Sequence, residues 1–291
     1  MNAADLTSVL VVAANSGNDV AVCVERVLAS SAPVEIIVSD NASDDGSIEA
    51  VAARWRDDAR VRIVRNDRNL GFGAGCNRAA AQARGDALLI LNPDCLLDAA
   101  TIQRLRDVLA NDKTIGIVGA TIVDANGRYE PASRRRDPLL WRALATMSGL
   151  SRFARIDGAN VQEPAHGAIE DVDAVSGALM MMRAELFRLV GGFDEGYFLH
   201  CEDLDLCRRV RDIGARVVCA NGVRVVHGKG TSSKRRPVFV AMHKHRGMWR
   251  WFVKFDPAAR NPMLRALVWC GLWAHFALLA PCYAWQAARQ R

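Results

Sequence analysis

The chain has 291 residues, 51% of them hydrophobic and 24% charged. That balance excludes a disordered or fibrous protein, because enough apolar surface is present to offset the cost of ordering the backbone. The net charge of +6 is unevenly spread: residues 234–291 hold eleven Lys/Arg and one acid, Asp256, a local +10 that leaves −4 for everything before it. A nucleic-acid binder needs cations across its main body and is therefore disfavoured.

At the N-terminus, Asp5 stands where a signal peptide has basic residues, and the apolar run covers only 9–14. The segment reads as a first strand. Short apolar runs at 8–14, 34–39, 61–65, 87–91 and 115–123 then alternate with helix-length segments at 19–29, 48–55, 74–84 and 99–109. Such alternation predicts a largely parallel sheet covered by helices on both faces, with ligands taken up at the carboxyl ends of the strands. Periodicity is lost over 124–171, a stretch with Arg134-Arg135-Arg136 and three prolines that reads as an insertion or lid. It resumes at 172–182 and continues through a helix at 203–213 and a strand at 215–219. After Ser233 the composition turns basic and aromatic. The eight cysteines include no CxxC pair, so reduced thiols in a cytosolic compartment are expected.

The loops at the strand ends carry the chemistry. Gly71-Phe72-Gly73-Ala74-Gly75 is spaced GxGxG and follows the third strand. A dinucleotide fingerprint needs GxGxxG after the first, so a tight turn is the simpler reading. Asn69 and Asn77 make that turn more polar than its geometry requires. Asp94 ends the apolar strand 87–91, and Pro93 stiffens the turn that holds it. A hard cation such as Mg2+ or Mn2+ takes one or two protein carboxylates and completes its shell with phosphate oxygens, although a lone Asp can also serve as a loop cap. Glu202, Asp203 and Asp205 crowd the first turn of a helix. Acids are ordinary there, but carboxylates this close raise one another's pKa, which suits one of them to act as a general base. His227 closes a β-rich run before a Gly/Ser/Thr loop, where a neutral imidazole can bind a metal and Lys229, Thr231 and Ser232 can donate to phosphate.

In this order the pieces resemble the inverting family-two glycosyltransferases with a GT-A fold, and most of all their rhamnosyltransferase-type members, over about 8–233. The likeness rests on the opening strand at 9–15, Asp40-Asn41-Ala42-Ser43-Asp44-Asp45-Gly46-Ser47, Asn69-Leu70-Gly71-Phe72-Gly73 with Asn77, Asn92-Pro93-Asp94, Gly191-Gly192-Phe193-Asp194 with Glu202-Asp203, and His227-Gly228. The resemblance implies a mixed, mainly parallel α/β sheet flanked by helices, a glycosyltransferase domain over 1–233 and a helical appendage over 234–291. It implies that Asp40 receives the donor's base beside main-chain groups of Ala13 and Asn15, with Asn69, Gly71, Asn77, Asn92 and Lys229 completing the nucleotide-sugar site. Asp94 and His227 would hold Mg2+ or Mn2+. The family's Asp-x-Asp motif has Asn92 as its first member here, which leaves Asp94 most of the metal contact. Asp203, with Glu202 beside it, would be the catalytic base.

The expected reaction is a single displacement in which an acceptor hydroxyl attacks the anomeric carbon and a nucleoside diphosphate leaves. The best-fitting donor is dTDP-L-rhamnose and the acceptor a lipid-linked surface glycan. UDP-hexose, UDP-galactofuranose or GDP-mannose remains an alternative donor, and a non-catalytic nucleotide-sugar or glycan-binding module the different-class reading. The tail supplies a location. Five of seven tryptophans (Trp249, Trp251, Trp269, Trp273, Trp285) lie in it among Lys and Arg, as expected of a peripheral contact with the inner face of a membrane. Residues 266–285 are long enough to span, but Gly271, His275 and Pro281 interrupt them, so an in-plane attachment is expected.

Overall fold

A computed structural model of the chain describes residues 5–147, 161, 165–228 and 236–289. Strands β1 (Thr7–Ala13), β2 (Val34–Asp40) and β4 (Ala87–Leu91) are buried along their whole length, as continuous Val/Ile/Leu runs must be when helices cover both faces of a sheet. With β3 (Val61–Arg65) they form a parallel half ordered β3-β2-β1-β4. Helix α1 (Asp19–Leu28) follows β1 and α2 (Ser47–Arg54) follows β2. Helix α3 (Phe72–Ala80) starts two residues before the expected 74–84, because Gly71 at φ 90° turns the chain directly from the loop into the helix.

The second half departs from uniform parallel order. A two-residue strand β5 (Cys95–Leu96) follows β4, then helix α4 (Thr101–Asn111) and strand β6 (Ile115–Val123). Beyond them come α5 (Leu140–Met147), β7 (Ile169–Asp171), β8 (Leu179–Arg183) and α6 (Ala184–Leu189). The expected strand at 172–182 is ordered as β only in β8, which inserts antiparallel between β4 and β6. Helix α7 (Glu202–Asp212) leads to β9 (Arg216–His227), which merges the two β-rich runs of its sequence into one strand. It lies parallel to β6, with an irregularity where Ala120 and Thr121 face Ala220 and Arg224. Alternate residues of the central strands feed two cores. Val9, Val11 and Ile36 pack under α1, α2 and α4, whereas Leu10, Val12 and Ile37 pack under α3, α6 and α7.

The 234–291 stretch divides into two unlike parts. Helix α8 (Pro237–Phe255) is built into the second core, where Trp251 is fully buried beside Tyr197 and Leu204. Its Lys254 lies 2.8 Å from Asp194 and 2.6 Å from the fully buried Asp205, and Arg250 lies 2.8 Å from Asp194. Helix α9 (Pro262–Arg289) runs unbroken through Pro281 and rests on α8, where the imidazoles of His245 and His275 meet at 3.0 Å. Its stretch Pro262–Trp285 has a mean hydropathy of 1.5 and no buried residue, so by length and composition it could cross a membrane.

Candidate active site

Parallel strands bring their carboxyl ends to one edge, and the candidate residues collect there. Ala13 is opposite Asp40 in register, and Asp40 is opposite Arg65. The buried carboxylate of Asp40 accepts from the Ser43 amide at 2.9 Å, closing the loop after β2. Asn15 takes the left-handed conformation (φ 55°), donates its amide to Ser43 Oγ at 3.0 Å and accepts from the Asp44 amide at 2.8 Å. The loops after β1 and β2 thus hold each other in place.

Asn41, part of the motif at 40–47 but given no role by it, links these loops to the next. Its amide donates to Ala13 O (2.8 Å), its side chain donates to Asn69 Oδ1 (3.2 Å) and Gly71 O (3.0 Å), and its Oδ1 accepts from Asn66 (3.0 Å). Gly71 has to be glycine, since a Cβ there would sit 2.4 Å from Phe198 O. Asn77, expected at the nucleotide, is committed elsewhere. Its amide exchanges two 2.9 Å bonds with the Phe193 backbone and donates to Glu195 at 3.0 Å, pinning α3 to the 193–195 turn. Lys229 lies outside the described residues.

Asp94 and His227 meet as expected. Gly228 N donates to Asp94 O (2.9 Å), Cys95 is opposite His227 in register, and His227 Nε2 lies 3.2 Å from Asp94 Oδ1. On the far side of the ring, Nδ1 lies 3.2 Å from Glu130 Oε2, a partner contributed by the segment read as a lid. Burial alone would lower the His227 pKa, but the carboxylates of Asp94 and Glu130 outweigh it and raise it. With both nitrogens protonated the ring donates to Asp94 and to Glu130; once Nε2 gives up its proton, its lone pair and the Asp94 carboxylate face the same point and can share a cation there. The Asp19 carboxyl, raised by burial and by the charge of Asp94, reflects the same local excess of negative charge. A carboxylate, an imidazole and an acidic surround are a donor set suited to a hard divalent cation. Cys95 is also within reach, but its thiol is fully buried, pushed well above its ordinary pKa by burial and by Asp94, and directed at Ala178 O, which makes it a poorer partner for a hard cation than the carboxylate and the imidazole.

The acid cluster resolves into unequal roles. Asp203 accepts from the Leu204 amide (2.8 Å) and the Gly177 amide (2.9 Å), and forms an ion pair with Arg135 at 2.6 Å. Burial raises its pKa, but the Arg135 charge and these hydrogen bonds more than reverse that, so the carboxyl sits below its ordinary range. Mutual repulsion, the effect expected from sequence, falls on its neighbour. Glu202 is raised by burial and by Asp203, and its Oε2 has no hydrogen-bond partner. Asp205 is fully buried in its ion pairs with Arg209 and Lys254. Just ahead of the cluster, His200 (φ 68°) and Cys201 (φ 71°) are consecutive left-handed residues that aim the first turn of α7. Glu130 and Arg135 are the site residues that motif spacing alone did not single out, and Asn41 is one that a motif contained without revealing its role.

Known proteins place this geometry. The model of the family described as glycosyl transferase family 2 matches residues 8–167. The chain belongs to that family. It is rhamnosyltransferase-like. Over 265 residues, 81% of this chain and 85% of the other, it is 29% identical to the N-acetylglucosaminyl-diphospho-decaprenol L-rhamnosyltransferase of Mycobacterium tuberculosis. It is 26% identical to rhamnosyltransferase WbbL of Escherichia coli over 54% of this chain and 60% of that one. Its GT-A fold is shared with the Pyrobaculum calidifontis mannosyltransferase PcManGT, solved with GDP-Man and Mn2+, at a TM-score of 0.60 and 18% identity over 98% of this chain and 73% of that one. It is shared also with S. aureus TarS 1-349 in complex with UDP, at a TM-score of 0.58 and 14% identity over 97% and 87%.

Proposed function

We propose that this glycosyltransferase moves L-rhamnose from dTDP-L-rhamnose, with inversion, to a hydroxyl of a lipid-linked surface glycan at the inner face of a membrane. The observation that carries the reading is the pairing, at one sheet edge, of an ionised carboxylate held by Arg135 with an imidazole, His227, whose two nitrogens each lie 3.2 Å from a carboxylate, Asp94 on one side and Glu130 on the other. One group is fit to take a proton and the other to hold a cation beside a diphosphate. The name of the M. tuberculosis relative supports the sugar and the lipid-diphosphate acceptor.

In this reading Asp40 and main-chain groups of Ala13 and Asn15 receive the base, while Asn69, Gly71 and Asn92 line the donor cleft. Asp203 Oδ1 takes the proton of the attacking hydroxyl. Asp94 and His227 would hold Mg2+ or Mn2+, which supplies charge neutralisation for the departing diphosphate. Glu130 fixes the ring of His227, and Glu202, kept neutral by burial, adds no second negative charge beside the base. Residues 1–255 form the catalytic body and α9 the membrane contact: its exposed Trp269, Leu278 and Trp285 suit a headgroup region, and the surplus Lys and Arg of the tail suit anionic lipid.

Purified enzyme offered a panel of dTDP-rhamnose, UDP-hexoses, UDP-galactofuranose and GDP-mannose, with a polyprenyl-diphosphate-linked acceptor, should release nucleotide and extend the acceptor from dTDP-rhamnose alone. Turnover with another donor overturns the sugar assignment. Tight nucleotide binding without product from any donor overturns the enzyme assignment.

A further inference from the structure

Arg135 belongs to a segment whose sequence looked like an irregular lid, yet it is anchored at both ends. Its backbone exchanges bonds of 2.9 and 3.0 Å with Ala174, and its Nη2 donates to Val175 O at 2.5 Å and to Asp203 Oδ2 at 2.6 Å. Nη1 lies 3.5 Å from Asp203 Oδ1. The Gly177 amide holds the same Oδ2 at 2.9 Å, and a Cβ at that position would press on the carboxylate, 3.3 Å from Oδ2 and 3.2 Å from the Asp203 Cβ. The two oxygens of the carboxylate are therefore unequal. Oδ2 is saturated by a guanidinium and an amide, whereas Oδ1 has one short bond, from Leu204.

We propose that Arg135 is a positioning residue for the transfer reaction: it locks Asp203 Oδ2, leaves Oδ1 to receive the acceptor proton, and sets the pH at which the base is ready. The inference rests on Asp203 being the base. Its charge environment is drawn from every packed element: Arg135 from the 124–137 segment, Glu202 and Cys207 on α7, His200 and Cys201 in the preceding turn, and Lys244 of α8 behind His200. Arg135 is the cation in direct contact. Without it, burial disfavours the carboxylate, so Asp203 would ionise only at higher pH.

The test is the pH profile of kcat/KM for donor turnover in wild type, Arg135→Gln, Arg135→Lys and Asp203→Asn, with thermal unfolding and dTDP binding measured on each. The acid limb of Arg135→Gln should move up by at least about one unit, so that at pH values below the wild-type limb turnover falls about tenfold or more relative to wild type, while at pH values well above both limbs the deficit shrinks. Arg135→Lys, which keeps the charge but not the fork, should fold and show a smaller upward move. A merely structural role would lower the rate equally at all pH values, and an unmoved limb in Arg135→Lys together with a uniform loss in Arg135→Gln overturns the proposal. If Arg135→Gln does not fold, the limb of Arg135→Lys decides alone: unmoved, it overturns the proposal. Asp203→Asn separates the two claims. If that variant turns over at the wild-type rate, the base assignment itself has failed, whereas a dead Asp203→Asn beside an unshifted Arg135 series defeats only the positioning role.

Discussion

Replacing Gly247 by alanine tests whether helix α8 shapes the catalytic turn. An alanine Cβ would lie 2.7 Å from the His200 carbonyl oxygen and 3.3 Å from Cys201 Cβ and Sγ. The nearest atom is backbone, so either α8 or the turn has to move by several tenths of an ångström. Overpacking of this kind costs about 1–3 kcal/mol, while alanine in a helix interior returns about 1 kcal/mol relative to glycine. The net loss of stability should be about 1 kcal/mol, a few degrees in the melting temperature for a chain of this length. The loss of turnover should be larger. His200 and Cys201 already hold left-handed conformations that non-glycine residues adopt at a cost, and they lead directly into Asp203. A displaced base loses roughly tenfold or more in kcat, given that a 1 Å misplacement can cost about 100-fold. The assay pairs kcat with thermal unfolding, and uses Gly271→Ala as control, because no atom lies within 4 Å of a Cβ at that exposed helical position. The control should be as active as the parent. Parental kcat in Gly247→Ala would show that α8 does not govern the turn, and the reasoning would fail.

Trp251→Ala removes the largest fully buried side chain and should cost about 3–5 kcal/mol in denaturant unfolding, against near-neutrality for Trp285→Ala on exposed α9. Glu202 has its folded-state pKa raised above the unfolded value, so its contribution to stability is complete below the unfolded pKa and is lost as pH rises through the folded one. Glu202→Gln should accordingly melt progressively above wild type as pH is taken from 5 to 9, and a difference that does not change with pH contradicts that environment. Chelation should abolish transfer and added Mg2+ or Mn2+ restore it; Glu130→Gln should weaken Mn2+ binding, read by titration without substrate, by roughly 10–100-fold. A chain ended after 233 should fail to fold, whereas one ended after 261 should fold, stay soluble and no longer pellet with anionic vesicles; equal vesicle binding by the 261 chain and the full chain rules out α9 as the contact.

The parallel half of the sheet was legible because β1, β2 and β4 are buried on both faces and so are written as unbroken apolar runs. Asp40, Asp94 and His227 were legible because strand ends are where such sheets put chemistry. β8 was not, because Leu179-Met180-Met181-Met182 reads as core whether it runs parallel or antiparallel. The expectation of raised pKa values in the cluster at 202–205 was right for Glu202 and reversed for Asp203, since its deciding neighbour, Arg135, lies 68 residues away in sequence. Glu130 escaped for the same reason, being 97 residues from His227. The reading of 234–291 as one appendage followed its basic, aromatic composition. Composition does not separate a Trp251 that fills a core from a Trp285 that faces outward.

The place of α8 in the chain sets an order for synthesis. Domains close from the N-terminus as the chain is made, yet the pocket filled by Trp251 stays open, and the buried Asp205 lacks its lysine, until residue 254 has emerged. Residues 1–233 therefore wait, nearly complete and with part of their apolar interior uncovered, for the next helix. The apolar α9 comes out after it, directly behind the segment that seals the core. A nascent chain stalled within α8 would expose an unfilled core and leave Asp194 without the two cations, Arg250 and Lys254, that pair with it, and would be a ready target for quality-control proteolysis.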